Sequence, residues 1–316
     1  MKKNTYLWTW IFVVMGLWSL GFIYNVYLSG YASWLRTMYV VKSRLVEEID
    51  KPQIIVAGGS GVQYTINSDV MAESLDMPVI NFGLNGGIGL DLLLTTMLEK
   101  VKPGDIMLVI PEYSFLLNDE GTDTLSPTFG IVIGRPGLGG IPIKEVLETT
   151  VTLGIPSIRP LIKTTQDIVT EGRFDYYGDP LTSRGDATIE LPRNSAWWKM
   201  PIRSSISQHS INSLRQFKKD VEARGGTLVF SLPVVYGSDD QDTIANIQKT
   251  ADALSEIAPT LYDKETLNIY DNSDLFADTH YHLKISERTV RSEQLVRELQ
   301  MALPQFSVAS HDVEGK

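Results

Sequence analysis

The sequence predicts an α/β domain of three layers, in which helices cover both faces of a parallel sheet, behind an N-terminal transmembrane helix. Short apolar runs such as 53–57 and 105–110 alternate with segments of helical periodicity, and this alternation is typical of a parallel sheet. The apolar runs stop at glycine or proline turns, as buried strands do. Residues 7–28 form a separate, uncharged apolar stretch, which predicts the membrane helix.

The composition excludes several classes of protein. The chain has 316 residues, of which 43% are hydrophobic and 21% charged, as in a globular protein with a substantial core. A formal net charge of -10 without a cluster of Lys and Arg argues against a nucleic-acid partner. The absence of cysteine excludes a disulfide framework and a thiolate metal site. We expect no cofactor.

The N-terminal stretch favours an uncleaved anchor. As a helix, residues 7–28 would extend about 33 Å, enough to cross a bilayer, and aromatic residues flank both ends. A cleaved signal peptide is the alternative, but the apolar stretch is long for one and no small-residue cleavage site follows. Lys2 and Lys3 favour a cytoplasmic N-terminus, although three basic residues beyond the span dilute this bias: Arg36, Lys42 and Arg44. We predict a single-pass protein of the cell membrane with its domain outside the cytoplasm.

The rest of the chain divides into three parts after the tip and anchor of residues 1–29. Residues 30–51 are predicted to form an amphipathic connecting helix, residues 52–304 the α/β domain, and residues 305–316 a polar, loose tail. Residues of about 114–200 break the alternation and are interpreted as an insertion, with a helical segment near 157–169. The predicted strands are 53–57, 78–82, 105–110, 225–231 and 267–270, and the predicted helices are 68–75 (with Ser68 as its cap), 88–101, 206–224, 241–257 and 286–303.

Three separated segments carry residues suited to catalysis. Ser60 lies among Gly58, Gly59 and Gly61 at the end of a strand, where an α/β sheet collects its ligands. A second glycine turn, 81–86, also follows a strand, and its backbone N–H groups are suited to bind an oxyanion. The segment 276–283 supplies Asp278, His280 and His282. A serine nucleophile needs a histidine base and a group that orients the histidine, and Asp278 is close enough in sequence to orient either histidine.

These three segments, in this order, resemble the SGNH (GDSL-like) hydrolase superfamily. Its Gly-Asp-Ser block is matched by residues 58–60 with glycine in place of aspartate, and its Asn-x-Gly-x-x-Gly block is matched by Asn81, Gly83 and Gly86. Its C-terminal Asp-x-x-His block is matched loosely by Asp278 and His282. The resemblance covers roughly residues 52–113 and 205–303. It implies a flavodoxin-like sheet and a serine-dependent acyl transfer.

The resemblance implies a role for each matched residue. Ser60 would be the nucleophile, His282 the base because it leads directly into the last helix, and Asp278 its orienting partner. The backbone N–H groups of Ser60 and Gly83 would form the oxyanion hole. His280 would be a neighbour of the site, or the base in the alternative alignment.

The third block of the family, which supplies an oxyanion-hole asparagine after the third strand, is missing. The segment 111–113, Pro-Glu-Tyr, stands in its place. Glu112 or Tyr113 would then line the site, or Asn85 would supply the missing donor. Asn81 is assigned to the lining of the site, more as a turn-former than as a catalytic group.

In its architecture, with a membrane anchor before the domain, the chain resembles bacterial proteins that modify surface polymers, such as the D-alanine–teichoic acid transfer and alginate acetylation proteins. The expected function is therefore that of an esterase or O-acyltransferase acting on a cell-surface polysaccharide or glycan. The alternative is an accessory subunit, without catalysis of its own, that partners a membrane-bound O-acyltransferase in exopolysaccharide modification. The Trp197–Trp198 pair is suited to stack on sugar rings or to pack internally.

A metal site built from Asp278, His280 and His282 is the weaker alternative for the C-terminal segment. Although a His-x-His pair can ligate zinc, no further histidine pair and no cysteine support it. We therefore expect no metal.

Overall fold

A computed structural model of the chain describes residues 2–28, 30–156, 162, 165, 169, 180–193 and 198–307. The chain forms two compact units, one of Met1–Val40 with Thr124–Asp179 and the other of Val41–Asp123 with Pro180–Lys316. Most of the predicted helical segment 157–169, Trp197 and the end of the predicted tail, 308–316, lie outside the described residues.

The helices in chain order are α1 Lys2–Ile23, α2 Tyr31–Glu47, α3 Ser60–Gln63, α4 Ser68–Leu75, α5 Leu90–Leu98, α6 Tyr113–Leu116, α7 Ser126–Val132, α8 Ile143–Leu153, α9 Gln208–Ala223, α10 Gln241–Ser255, α11 Ile285–Ala302 and α12 Pro304–Ser307. The strands are β1 Ile54–Gly58, β2 Val79–Gly83, β3 Ile106–Ile110, β4 Thr227–Ser231, β5 Val235–Tyr236, β6 Thr260–Leu261 and β7 Ile269–Tyr270.

The first unit contains the apolar N-terminal helix. The stretch Thr5–Leu28, 24 residues, is long and apolar enough to cross a membrane, as a signal sequence also can be. A single turn of π-helix, Tyr24–Leu28, continues α1. The start of α2 and the helices α7 and α8 also lie in this unit.

The second unit is built on a five-stranded sheet. Its order is β2-β1-β3-β4-β6 with every neighbouring pair parallel, which is the flavodoxin-like order. The predicted parallel α/β architecture is confirmed. Gly58 pairs with Gly83 on one side and with Ile110 on the other. The turns that follow β1, β2 and β3 therefore leave the sheet side by side.

Both faces of the sheet are buried because helices pack on each. Side chains alternate between faces along a strand, and one face packs against α4 and α11 in a single apolar cluster that includes Val56, Leu108, Val229, Met71 and Leu295. On the other side, α9 packs against α5 and β4. This double cover explains why the strands are continuous apolar runs with no polar alternation.

One predicted strand is wrong in detail. The fifth strand of the sheet is Thr260–Leu261, whereas Ile269–Tyr270 pairs with Val235–Tyr236 in a separate two-stranded sheet. The apolar run 267–270 begins in a turn, since Leu267 and Asn268 adopt left-handed φ angles of 54° and 58°. Only the last two residues of the run, Ile269–Tyr270, form a strand.

Smaller corrections concern helix ends. The cap of α4 is Asn67, whose side chain accepts a hydrogen bond from the backbone of Val70 at 3.3 Å. Ser68 is instead the first helical residue, and its hydroxyl donates to Asp186 at 2.8 Å. The predicted loose tail begins with a short helix, Pro304–Ser307, and Phe306 packs against the core.

Candidate active site

The turn after β1 presents Ser60 at the carboxyl edge of the sheet. The strand ends at Gly58 and Ser60 opens α3 two residues later. The hydroxyl of Ser60 is half-buried and donates to Oε1 of Glu112 at 3.4 Å. Its backbone N–H is the first of α3 and, within the described residues, donates to no acceptor. The predicted placement of the serine at a strand end is found.

Glu112 lies at the centre of the site, two residues beyond the end of β3. Its carboxylate is buried and accepts a hydrogen bond of 2.5 Å from the backbone N–H of Gly61. Burial raises the pKa of Glu112, while the hydrogen bond from Gly61, the charge of His282 and the Ser60 hydroxyl oppose this rise. Burial therefore favours the neutral acid more than it does for an exposed glutamate.

The carboxylate of Glu112 fills the space that three glycines leave open. A Cβ atom on Gly59 would lie 2.6 Å from Oε1, and one on Gly86 would lie 2.6 Å from Oε2. On Gly61 the distance to Oε1 would be 3.0 Å. The absence of side chains at these positions is what lets a buried carboxylate sit beside the serine turn.

In the turn after β2, Gly83 does not have the role that was predicted for it. The backbone N–H of Gly83, the expected oxyanion donor, donates to Oδ1 of Asn81 at 2.9 Å. A Cβ atom on Gly83 would lie 2.2 Å from the backbone nitrogen of Gln63. Gly83 therefore allows α3 to pack closely on the end of β2, and its N–H group is already engaged.

Gly86 is the glycine of this turn that meets the serine turn. Its Cα lies 3.0 Å from the position of a Cβ on Gly59, and its N–H has no acceptor among the described residues. The side chain of Asn85 accepts from Gly87 N at 2.8 Å and turns the chain into a short 3₁₀ helix that begins at Gly86. Asn85 thus shapes the turn. Gly86 was not predicted as a donor, although Asn85 directly before a Gly pair is a sequence signal for such a turn.

His282 is paired with Asp278. Nδ1 of His282 lies 2.7 Å from Oδ1 of Asp278, and the histidine is only 6% exposed. The ring of Tyr64 contacts the imidazole at a centroid distance of 4.5 Å, and the backbone N–H of Tyr64 donates to the Ser60 carbonyl at 3.1 Å. One aromatic side chain therefore connects the serine turn to the histidine. The Ser60 hydroxyl itself donates to Glu112 and not to His282.

His280 faces elsewhere. Its Nε2 lies 2.8 Å from the carbonyl oxygen of Trp198, and its ring stacks on Tyr236 at 6.2 Å. Of the two histidines that Asp278 could orient according to the sequence, it therefore orients only His282. In the described part of the chain, no group of three or more His, Cys, Asp or Glu side chains is arranged to hold a metal ion.

Two buried phenols lie near Glu112. Tyr113 is fully buried, and burial raises the pKa of its phenol well above the usual range. Burial also raises the pKa of Tyr281. Both phenols therefore stay neutral. Tyr281, which lies between the two histidines, was not predicted as part of the site.

The segment 180–193 holds the histidine loop in place. The guanidinium of Arg193 donates to the carbonyls of Ser273, Phe276 (2.9 Å) and Ala277 (3.4 Å), directly before Asp278. The carboxylate of Glu190 accepts from the backbone of Ile285 at 2.8 Å, at the start of α11. From α11, Arg288 donates back to the carbonyls of Ala187 and Ile189 and lies 5.9 Å above the ring of Tyr64.

Asn81 belongs to a buried polar network behind the site. Its amide donates to Asp186 at 3.0 Å and to the carbonyl of Val62 at 3.1 Å. Lys42 donates to the carbonyl of Gly83 at 2.6 Å. Burial raises the pKa of Asp186, and hydrogen bonds from Ser68 and Asn81 oppose the rise. The expected site-lining asparagine is therefore a structural support of the turn after β2.

A second Ser, His and Asp cluster links α5 to α9. Asp91 lies 2.9 Å from Nε2 of His209 and accepts a 2.9 Å hydrogen bond from Ser213. Ser213 approaches the same nitrogen at 3.3 Å. A catalytic relay needs its serine and its carboxylate on opposite ring nitrogens. Because both meet Nε2 here, the cluster is a link between helices.

Comparison with known proteins gives only distant similarities. No family model matches the chain, and no curated protein matches it. Protein YxiM of Bacillus subtilis is similar over 80% of this chain at 13% identity and a TM-score of 0.38, and the chain spans 57% of that protein's length. A provisionally named platelet activating factor from Streptococcus pneumonia is similar over 83% of this chain and 91% of its own, at 12% identity and a TM-score of 0.42.

Proposed function

We propose that the chain is a membrane-anchored serine esterase or O-acyltransferase with Ser60 as nucleophile, His282 as base and Asp278 as the orienting carboxylate. The observation that carries the proposal is the 2.7 Å hydrogen bond from Nδ1 of His282 to Asp278. It leaves Nε2 as the proton acceptor, which is the tautomer that a serine nucleophile requires. Through Tyr64, this histidine packs against the turn that carries Ser60.

The chemistry follows from these positions. Ser60 Oγ attacks an ester carbonyl while Nε2 of His282 takes its proton, and Asp278 stabilises the imidazolium. The tetrahedral intermediate collapses, and His282 returns the proton to the leaving alcohol. Water then hydrolyses the acyl-enzyme in an esterase, and a sugar hydroxyl accepts the acyl group in a transferase. Before attack, the hydroxyl of Ser60 must exchange its hydrogen bond to Glu112 for one to His282.

The proposed oxyanion hole uses the backbone N–H groups of Ser60 and Gly86, which have no acceptor among the described residues. Gly86 replaces Gly83 in this role because the N–H of Gly83 is engaged by Asn81. Glu112 supplies the third donor in its neutral form, at the place where the SGNH pattern has an asparagine after its third strand. A buried carboxylic acid that stays protonated can donate to an oxyanion, whereas an ionised one would repel it.

The proposed substrate is an acyl ester of a cell-surface polysaccharide or glycan. An aromatic cluster beside the histidine loop supports this class: Trp198 is exposed and meets His280 edge-on at 5.5 Å, and His280 stacks on Tyr236. Exposed aromatic faces are suited to sugar rings. The proposed location is the cell membrane, with the N-terminus in the cytoplasm, α1 as the single span and the α/β unit outside.

One observation favours the second candidate, an accessory subunit that partners a membrane-bound O-acyltransferase. The carboxylate of Glu112 occupies the space beside Gly59, Gly61 and Gly86 and holds the hydroxyl of Ser60. If this carboxylate stayed ionised, it would block both the nucleophile and the oxyanion hole. The serine turn would then serve only as structure.

A fluorophosphonate probe separates the two candidates. The full chain in detergent should be labelled at neutral to alkaline pH, and Ser60→Ala should abolish the labelling. Ser114→Ala is the matched control, because Ser114 also lies beside Glu112 but follows no glycine turn. Folded protein that remains unlabelled, or labelling that survives Ser60→Ala, would reject the enzyme and favour the accessory subunit.

A further inference from the structure

A fully buried lysine binds the turn after β2. The side chain of Lys42, on α2, is 0% exposed, and its Nζ donates to the carbonyl of Gly83 at 2.6 Å. Lysine is seldom buried completely unless its charge is paired and its hydrogen bonds are made. What Lys42 does for the protein is therefore decided by the groups that it contacts inside the domain.

The carbonyl that Lys42 binds belongs to a peptide unit that joins the two glycine turns. The N–H group of the same peptide, on Leu84, donates to the carbonyl of Gly58 at 3.0 Å. Gly58 ends β1 and leads into the turn that carries Ser60. A hydrogen bond at the carbonyl of a peptide polarises the unit and strengthens the bond that its N–H group makes. The ammonium of Lys42 therefore acts on the contact between the turns after β1 and β2.

This contact influences the place of Gly86, the second backbone donor of the proposed oxyanion hole. Gly86 follows Leu84 by two residues, and its Cα lies 3.0 Å from the position of a Cβ on Gly59. The N–H group of Gly86 has no acceptor among the described residues, so no hydrogen bond of its own fixes its direction. That direction therefore depends on where the preceding peptide of Gly83 is held.

The charge of Lys42 is balanced in part by that of Asp186. Asp186 is 5% exposed and accepts from the backbone N–H and the hydroxyl of Ser68, both at 2.8 Å. Burial raises the pKa of Asp186, and the positive charge of Lys42 is one of the effects that oppose the rise. Asn81 belongs to the same network: its amide donates to Asp186, and its Oδ1 accepts from the N–H of Gly83. Loss of Lys42 would thus remove a donor from the turn and leave a buried carboxylate with less positive charge nearby.

From these contacts we propose that Lys42 is a positioning residue of the oxyanion hole. Its ammonium holds the carbonyl of Gly83 and thereby keeps the N–H of Gly86 directed at the position that the N–H of Ser60 also faces. Since Lys42 is fully buried, it acts through the peptide and touches no substrate. This role rests on the proposed function, in which the N–H groups of Ser60 and Gly86 bind the oxyanion.

The test separates the charge of Lys42 from its contact with the carbonyl. In an Asp186→Asn background the network has lost the carboxylate that Lys42 balances, so a further Lys42→Met change acts on the carbonyl of Gly83. The double variant, as the full chain in detergent, should hydrolyse p-nitrophenyl acetate with a kcat about 10- to 100-fold below that of Asp186→Asn, as expected for a misplaced donor. Its KM should be nearly unchanged. Lys42→Met alone should show a similar loss of kcat and a lower Tm, part of which the double variant should regain.

Lys102→Met is the matched control. The Nζ of Lys102 also donates to a backbone carbonyl, that of Ile49 at 2.6 Å, but Ile49 precedes β1 and so lies away from the carboxyl end of the strand that leads to Ser60. This variant should keep the kcat of the parent. Amide exchange followed by mass spectrometry gives a readout that needs no activity: the peptide over 83–88 should exchange several-fold faster in the double variant than in Asp186→Asn, and at the parental rate in Lys102→Met.

The other outcomes identify which proposal fails. A double variant with the kcat of Asp186→Asn, or with the same exchange over 83–88, would overturn the positioning role of Lys42 while the enzyme stands. An equal loss of kcat in Lys102→Met would overturn it too, since any buried lysine contact would then have the same effect. If the parent neither hydrolyses the ester nor reacts with fluorophosphonate, the enzyme is rejected and this role of Lys42 with it.

Discussion

A Cβ atom on Gly59 would lie 2.6 Å from Oε1 of Glu112. The two residues thus occupy complementary volumes, one by lacking a side chain and the other by extending a carboxylate into the space. In the SGNH pattern an aspartate stands at the position of Gly59 and an asparagine follows the third strand. This chain differs from the pattern at both positions, and the two differing residues are in contact: the carboxylate of Glu112 fills the space beside Gly59.

This relationship predicts that the two positions are coupled. Gly59→Asp alone should destabilise the fold and abolish fluorophosphonate labelling, because a second carboxylate would be forced against Glu112. Gly59→Asp combined with Glu112→Asn should recover stability, with a coupling free energy of about 1–3 kcal/mol. Thermal unfolding of the two single variants and the double variant measures this coupling. Additive effects would show that the two residues are independent.

Glu112→Gln should stabilise the protein at neutral pH. Burial raises the folded-state pKa of Glu112 above its unfolded value, so between the two values the folded state keeps a proton that the unfolded state has lost. Stability falls as pH rises across that interval, and the glutamine variant escapes this loss. An increase of about 1 kcal/mol in the free energy of unfolding would raise Tm by about 2–4 °C.

The control for this prediction is the difference in Tm between the parent and Glu112→Gln at acidic pH. Below the unfolded pKa of Glu112 both states are protonated, and the advantage of the glutamine variant should disappear. Calorimetry over pH 4 to 8 gives both measurements. A difference in Tm that does not depend on pH would contradict a raised pKa for this carboxyl.

The same substitution should extend activity towards higher pH. If neutral Glu112 donates to the oxyanion, labelling of Ser60 in the parent protein should decline as Glu112 ionises, while Glu112→Gln should retain labelling. Glu112→Ala should lower the rate by about 10²–10³ at every pH, as expected for loss of one oxyanion donor. Rates with p-nitrophenyl acetate or the probe, measured against pH, provide the test. If the rates of the parent and of Glu112→Gln depend on pH in the same way, Glu112 is not an oxyanion donor.

Alanine substitutions of the two neighbouring histidines should have very different effects on the labelling rate. His282→Ala removes the partner of Asp278 and should lower the labelling rate by about 10³-fold or more. His280→Ala removes only contacts with Trp198 and Tyr236 and should leave the rate nearly unchanged. Because the two positions are two residues apart on one loop, each variant controls for the other. A larger loss at His280 would assign the base to it.

Arg193 is predicted to position the histidine loop. Arg193→Ala removes the donors to the carbonyls that precede Asp278, so the labelling rate should fall about tenfold with a change in the pH profile. Loss of stability should stay near 1–2 kcal/mol. Lys199→Ala, which breaks an exposed ion pair with Asp239, is the control and should alter neither quantity. An unchanged rate in Arg193→Ala would limit this residue to a structural role.

The first four strands of the sheet could be located from the sequence because each is a short apolar run bounded by turn residues, whereas their flavodoxin-like order was implied by the resemblance. The pairing of His282 with Asp278 could be anticipated, but the choice between His280 and His282 depended on which ring faces Asp278. The fifth strand was misplaced because Leu267 and Asn268 take left-handed backbone angles, a conformation that hydrophobicity does not reveal.

Which glycine is free to donate to an oxyanion could not be predicted from the sequence either. Gly83 and Gly86 both fit the same motif, and only the hydrogen bond from Gly83 to Asn81 distinguishes them. The position of Glu112 depends on three glycines from two other turns, so no local pattern could place its carboxylate beside Ser60. Such features depend on how turns meet after folding.

The contacts of the segment 180–193 also set the order in which the site is completed. Glu190 binds the backbone of Ile285, 95 residues later in the chain, so this contact cannot form before Ile285 has been synthesised. The serine turn, by contrast, is made from strands that lie within the first 110 residues. During synthesis on the ribosome, Ser60 and its glycine turn therefore emerge long before His282, the proposed base. If Ser60 is the nucleophile, it has no base to activate it until the last loop and helix have been made.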